Sequence, residues 1–277
     1  MIDLSGKTAL VTGLADNVGF GFHIAKILAE ANASVIVSCH PRVQSILERF
    51  LEKDKYAESR KFLTKNGEFK AKYIIPCDVS KDTLEEDAEF SIKSLADKLT
   101  NNNEKIDILV HSLAFSPEID KLHLDVSRAG YLTAMSVSSY SLIALCKNLL
   151  PLMENRNASV MALSYIASQR AVPFYGGGMA SAKAALECDV RMLSWSLGEL
   201  GHRINTISPG PYASRAAKSI GDIDKMISSV KEKSPLKRAI SAEDVAKTAL
   251  FLASDLSSNI TGEVIHVDAG FHAMAIS

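Results

Sequence analysis

The chain has 277 residues, 47% of them hydrophobic, and its 31 Lys and Arg against 32 Asp and Glu leave a net charge of −1. That length suits one large α/β domain or two small ones, with enough apolar residues for a sizeable core. The balanced charge offers no electrostatic footprint for nucleic acid or an anionic membrane. No run reaches about 18 uninterrupted apolar residues, so no membrane-spanning helix is expected, and the opening Met1 to Gly6 shows no signal-peptide pattern. Cys39, Cys77, Cys146 and Cys188 form no Cys-x-x-Cys pair, which argues against zinc or dithiol chemistry and for small buried thiols. No metal site is expected.

The first expected strand, Thr8–Thr12, runs into Gly13-Leu14-Ala15-Asp16-Asn17-Val18-Gly19-Phe20-Gly21 and then a helical pattern over Phe22–Ala31. A strand, a glycine-bearing loop and a helix together let backbone approach a diphosphate at the helix N-terminus. The spacing is Gly-x5-Gly-x-Gly, longer than Gly-x-Gly-x-x-Gly, and a turn without a ligand is the alternative. The second strand, Ser34–Ser38, ends in Cys39-His40-Pro41-Arg42 with no acid for a ribose. Arg42 could serve a 2′-phosphate, so NADPH is not excluded. Residues 41–72 are charged and too long for an ordinary connection. Val43, Ile46, Leu47, Phe50 and Leu51 share a helical face, Asn66-Gly67 marks a turn or hairpin, and the segment reads as a solvated surface insertion.

The third strand, Tyr73–Cys77, delivers Asp78, able to accept from an adenine amino group, and Val79, able to cover the ring; a helix N-cap at Asp78 or Ser80 is the alternative. The fourth, Ile108–His111, delivers the small residues Ser112-Leu113-Ala114, with room for a ribose and nicotinamide beyond the carboxyl ends of parallel strands. The fifth, Ser159–Ser164, leads to Tyr165. Tyr175 follows, then Gly176-Gly177-Gly178 and a helix over Ser181–Gly198 that carries Lys183. Three glycines do not sustain a helix, so Tyr175 is expected on a loop, approaching Lys183 from outside its helix face. The common Tyr-x-x-x-Lys register, which stacks both groups on one face, would need a tyrosine where Met179 stands. A nearby ammonium is expected to lower the phenol's pKa.

After the sixth strand, Ile204–Ser208, residues 209–235 occupy the position of a lid, with Ser214 near the pyrophosphate and Ser219-Ile220-Gly221 as a point of movement. A helix over Ala242–Ala253 and a strand over Val264–Val267 complete the alternation, and the apolar end Phe271–Ile276 suggests a subunit interface. Nearly continuous apolar strands alternating with helices predict an α/β fold. It is a three-layer doubly wound parallel sheet (Rossmann-like), a single domain over residues 1–277.

Thr12-Gly13 with Gly19 and Gly21, Cys77-Asp78-Val79, His111 to Phe115, Leu163-Ser164-Tyr165, Tyr175 to Lys183, and Ser208-Pro209-Gly210-Pro211 occur in this order along essentially the whole chain. In them the chain resembles the divergent short-chain dehydrogenases/reductases, and among these the NADH-dependent enoyl-[acyl-carrier-protein] reductases. Gly19-Phe20-Gly21-Phe22 and Tyr175-Gly176-Gly177-Gly178-Met179 are similar to the plastid and chlamydial-type branch.

The resemblance implies reduction of trans-2-enoyl-[acyl-carrier-protein], the last reductive step of type II fatty acid elongation, with NADH as cofactor. It implies catalytic roles for Tyr165, Tyr175 and Lys183, and substrate contacts from Ser116, Tyr165 and Tyr175. The implied cofactor contacts are Gly13, Ala15, Gly19, Phe20, His40, Asp78, Val79, Ser112, Leu113, Ala114, Lys183, Pro211, Tyr212, Ser214 and Ala216. It further implies a homotetramer, a carrier protein met by a basic rim of Arg215, Lys218 and Lys225, and a location in bacterial cytoplasm or plastid stroma. His40 and Tyr212 depart from the family pattern, at the adenosine side and in the acyl pocket respectively. Two rivals remain. An ordinary carbonyl or alcohol dehydrogenase would want Tyr-x-x-x-Lys, against which Met179 argues. A non-catalytic dinucleotide sensor would have no need of Tyr175 and Lys183.

Overall fold

The computed structural model describes residues 2–215 and 223–275. In chain order they form β1 (Thr8–Thr12), α1 (Phe20–Glu30), β2 (Ser34–Cys39), α2 (Gln44–Glu52), α3 (Ala57–Arg60), β3 (Tyr73–Pro76), α4 (Ile92–Asn101) and β4 (Ile108–His111). There follow α5 (Arg128–Met135), α6 (Ser141–Met153), β5 (Ser159–Leu163), α7 (Met179–Gly198), β6 (Arg203–Pro209), α8 (Ile223–Lys233), α9 (Ala242–Ala253) and β7 (Val264–Val267). The seven strands lie in the order β3-β2-β1-β4-β5-β6-β7, and every pairing is parallel. The expected doubly wound sheet is therefore the observed one. Its order reverses between β1 and β4, where such sheets open a crevice at their carboxyl ends.

The strands read as continuous apolar runs because both faces are covered. Alternate residues of one strand enter different cores. Ala9 and Val11 pack with α1 and α9, while Leu10 packs with α4, α6 and α7. β2 and β4 repeat the split, with Val35, Val37, Ile108 and Val110 on the first side and Ile36 and Leu109 on the second. Arg128–Met153 is long and apolar enough to cross a membrane, but Leu142, Leu145 and Leu149 within it are fully buried in the second core. Cys39, Cys77 and Cys146 are buried as expected, and desolvation pushes each thiol up to about 12. Cys188 departs from the expectation: it lies exposed on α7.

Residues 41–72 are held more tightly than a solvated insertion requires. Phe69 and Leu47 are fully buried, and the Phe69 ring meets Phe22 of α1 edge-on at 5.8 Å. α1 also supplies polar ties. Lys26 Nζ donates to Ser59 O at 3.2 Å, and the Glu30 carboxylate accepts from the Leu63 and Thr64 amides and the Thr64 hydroxyl. Arg60 is buried and donates to the Phe50 and Lys53 carbonyls and to Glu68. Part of the segment's charge is thus structural. Asn66-Gly67 does turn a short hairpin, with an antiparallel bridge between Lys61 and Glu68 and Gly67 at φ 120°.

Candidate active site

The carboxyl ends of β1, β4, β5 and β6 surround one cavity of about 400 Å³. Its floor is the glycine loop. Gly13 has φ +80°, and a Cβ there would lie 2.3 Å from Ser112 O. Only glycine lets this loop sit against the residues after β4. The loop's next turn is fixed by Asp16, which is buried and accepts from the amides of Val18 and Gly19, both at 2.9 Å. Gly19 caps α1 with extended backbone, but its N–H is taken by Asp16. Its service to a diphosphate is therefore the open space left by its missing side chain.

Past β4, Ser112, Leu113 and Ala114 line the cavity. This wall is braced from behind by a π-helical turn, Ser136–Tyr140, between α5 and α6. Ser138 Oγ accepts from Phe115 N–H at 2.9 Å and donates to Phe115 O at 3.1 Å. Ser139 Oγ donates to Asp189 of α7 at 2.6 Å. Ser141 Oγ donates to Val137 O, so it accepts from Nε2–H of His111 at 2.8 Å. Burial, with Lys183 nearby, holds His111 neutral down to about 3.

The opposite face of the cavity carries Tyr165, Tyr175 and Lys183. Tyr165 leaves β5 and Tyr175 stands on the loop before α7; their rings are 4.9 Å apart and tilted at 53°. Gly177 and Gly178 have φ +57° and +78°, the left-handed backbone that ends the loop and starts α7 at Met179. The helix begins two residues earlier than expected because Met179 is buried and serves as its first core residue. Lys183 is also buried, and its Nζ donates to Leu163 O at 2.6 Å. Desolvation lowers Lys183 to about 8, against a raising contribution from Glu187. Desolvation raises both phenols, Tyr165 to about 12 and Tyr175 further, with Tyr165 adding to the latter. The expected lowering of Tyr175 by Lys183 is not found: loss of water around the phenol raises it, and Tyr165 adds to the rise.

Over the top, Pro211, Tyr212 and Ser214 complete the lining. Tyr212 packs on Phe20 with ring centroids 5.0 Å apart. Arg215 pairs with Asp16 at 3.2 Å and lies over the Phe50 ring at 5.9 Å. Arg215 thus joins the segment after β6 to the glycine loop and the insertion and is not a free rim cation. Ala216, Lys218 and Ser219-Ile220-Gly221 lie outside the described residues.

The cavity gathers thirteen of the anticipated residues: Gly13, Ala15, Gly19, Phe20, Ser112, Leu113, Ala114, Tyr165, Tyr175, Lys183, Pro211, Tyr212 and Ser214. Four others stand apart from its lining. Ser116 is buried and donates to Gly177 O at 2.7 Å, so it shapes the tyrosine loop instead of facing substrate. His40 and Asp78 face each other, Nε2 to Oδ2 at 3.6 Å. His40 Nδ1 accepts from Arg42 N–H, and Asp78 Oδ1 accepts from the Ser80 amide and hydroxyl. Asp78 therefore makes a turn with Ser80 and does not cap an α-helix. Val79 packs against the second core. Asp16, Phe22, Leu163, Ile223 and Met226 line the cavity without having been singled out. For Asp16 a signal existed: an aspartate two and three residues before the amides it binds is a common turn-former.

These groups fit a dinucleotide. The glycine loop brings backbone close to a helix N-terminus, Lys183 Nζ is the buried cation at the far end, and small residues separate the two.

The family described as "Enoyl-(Acyl carrier protein) reductase" matches residues 13–272. A rice protein named enoyl-[acyl-carrier-protein] reductase [NADH] 1, chloroplastic, is 44% identical over 289 residues, covering 100% of this chain and 77% of its own. A Nostoc enoyl-[acyl-carrier-protein] reductase [NADH] is 37% identical, with 100% of both chains covered. Among solved structures, the Plasmodium berghei enoyl-acyl-carrier-protein reductase with triclosan superposes with a TM-score of 0.90 at 41% identity, over 97% of this chain and 98% of that one. The Bacillus cereus enoyl-acyl carrier protein reductase with NADP+ and indole naphthyridinone gives 0.84 at 32% identity, over 100% of each chain. With sequence, strand order and cavity in agreement, the chain belongs to the enoyl-(acyl carrier protein) reductase family.

Proposed function

We propose that this protein reduces the carbon–carbon double bond of a trans-2-enoyl thioester carried on acyl carrier protein, with NADH as the reductant. One observation carries the reading. Tyr175 lies off the helix, its ring 4.9 Å from Tyr165, in the same cavity as buried Lys183. Met179, at the register an alcohol dehydrogenase would give its tyrosine, is buried in the core beside Ser138.

Bound NADH supplies a hydride to the β-carbon of the enoyl group. As the double bond is consumed, negative charge develops on the thioester oxygen. Tyr175, held in its neutral form by burial, is a standing donor for that oxygen, an oxyanion-type role. Lys183 is the cation suited to ribose hydroxyls, where it fixes the ring's position. The Tyr165 ring borders the acyl chain and excludes water from the phenol beside it. Plant relatives named as chloroplastic and bacterial relatives support work in a plastid stroma or a bacterial cytoplasm. Exposed Met192 and Trp195 on α7, at 69% and 73%, support assembly into a homotetramer, which solution sizing at micromolar concentration tests.

The decisive assay follows NADH oxidation with a crotonyl thioester beside a 3-oxoacyl thioester. Turnover of the first alone is expected; turnover of the second alone would return the chain to the alcohol dehydrogenases. In that assay Tyr175→Phe should lose about 10²–10³ in kcat, the scale of one oxyanion donor, with NADH affinity retained. Wild-type turnover by that variant would remove Tyr175 from the mechanism.

A further inference from the structure

A buried carboxylate on α7 has no part in the chemistry described so far. Glu187 is 5% exposed. Its Oε1 accepts from the hydroxyls of Ser164 and Ser168, both at 2.6 Å, and its Oε2 from the Gln169 amide at 3.2 Å. Those donors bracket Tyr165. Four residues earlier on the same face, Lys183 donates to Leu163 O. Two charged side chains of one helix thus hold the β5 exit, Lys183 by the Leu163 carbonyl and Glu187 by the side chains of Ser164, Ser168 and Gln169.

We infer that Glu187 is a positioning residue for enoyl reduction: it fixes the Tyr165 segment through its hydroxyl donors and keeps Lys183 in the cationic form that binds the cofactor. The inference rests on the reaction proposed above for its Tyr165 half; its Lys183 half requires only NADH binding. A carboxylate with three donors is satisfied without an ion-pair contact, so its oxygens make no claim on the donors of Lys183 Nζ. Among the described residues, the other titratable groups around the cavity do not do this service. His111 from β4 is neutral, Tyr165 and Tyr175 are held as neutral phenols, and Asp16 across the cavity is paired with Arg215. His266 of β7 feels the Glu187 charge, but its imidazole is pushed down mainly by burial. Glu187 contributes a raising effect on Lys183.

The test measures NADH binding by fluorescence against pH on the full chain, alongside enoyl-thioester kinetics. In the wild type, binding should weaken above about pH 8 as Lys183 loses its proton. Glu187→Gln keeps the shape and removes the charge. Its alkaline limb should move down by about one pH unit, an affinity loss of about threefold at pH 7.5, and Glu187→Asp should restore the limb. Ser168→Ala removes one donor and leaves the charge: kcat for the enoyl thioester should fall several-fold with the NADH limb unmoved. A Glu187→Gln limb superimposed on the wild type, whatever the melting temperature, overturns the link to Lys183. Unchanged kcat in Ser168→Ala overturns the link to Tyr165. Should Glu187→Gln fail to fold, the limb of Glu187→Asp decides, because a scaffold role predicts no return of the wild-type pH profile. Absence of enoyl reduction by the wild type would sink the proposed reaction while leaving the binding limb to judge Glu187.

Discussion

Lys183→Met keeps an unbranched chain of similar length inside the same buried site and removes its charge. The native protein holds Lys183 at about 8, against 10.5 for a free lysine, which corresponds to roughly 3 kcal/mol of unfavourable burial at neutral pH. The variant is relieved of that penalty. It also strands the Leu163 carbonyl that Nζ now serves at 2.6 Å, a loss of about 1 kcal/mol. The net expectation is a gain of about 2 kcal/mol in stability at pH 7, accompanied by loss of NADH binding. The sign with pH follows from linkage. The folded pKa is below the unfolded one, so between about pH 8 and 10.5 the unfolded chain retains a proton that the native state has released. Wild-type stability therefore gains from this group as pH rises through that window, and below about pH 8 the penalty is felt in full. The variant has no such term, so its advantage should shrink above pH 8, vanish near about pH 9.5 and give way to a deficit of about 1 kcal/mol at 10.5. Urea unfolding of both proteins at fixed protein concentration, at pH 7 and pH 9.5, reads the difference directly. A variant less stable than the wild type at pH 7, or an advantage independent of pH, would refute the reasoning.

Three further perturbations probe the frame. Gly13→Ala forces a side chain into left-handed backbone and places its Cβ 2.3 Å from Ser112 O; a loss of at least about 2 kcal/mol and of NADH binding is expected, and an unchanged melting temperature would contradict the close packing of the two loops. Phe69→Ala empties a fully buried site against Phe22 and should lose about 3–5 kcal/mol; less than 1 kcal/mol in urea unfolding would mean the insertion is only loosely attached. Arg215→Ala removes a largely exposed partner, so stability should change by less than about 1 kcal/mol. NADH affinity should fall about fivefold, because the Asp16 carboxylate is then unbalanced beside the diphosphate. Titration of the variant with NADH checks this, and unaltered affinity would reject the pairing.

The sheet was legible because each buried strand is an unbroken apolar run, and the strand bounds 8–12, 108–111 and 264–267 agree with the structure. The tyrosine loop was legible from Gly176-Gly177-Gly178, since a triple glycine excludes helix whatever surrounds it. What the sequence hid depends on distant partners. Glu30, Lys26 and Arg60 look like solvated charge until the insertion folds over them. Ser116 reads as a small residue near substrate, yet its hydroxyl is spent on Gly177, a residue 61 positions away. His40 and Asp78 follow different strands, and nothing local announces that they face each other. Arg215 reads as a free cation because its partner Asp16 lies on the first loop of the chain.

The π-helical turn also bears on how long a dinucleotide stays. One hydroxyl, that of Ser138, secures both the N–H and the C=O of Phe115, while Ser139 fastens the same turn to α7. The wall after β4 and the lysine helix are thereby tied together by hydrogen bonds. The opposite edge is closed by Tyr212 against Phe20 and by the exposed guanidinium of Arg215, contacts of surface strength. Substitutions at Tyr212 and Arg215 are then expected to shorten the residence time of a bound dinucleotide while leaving the buried side chains around Lys183 in place.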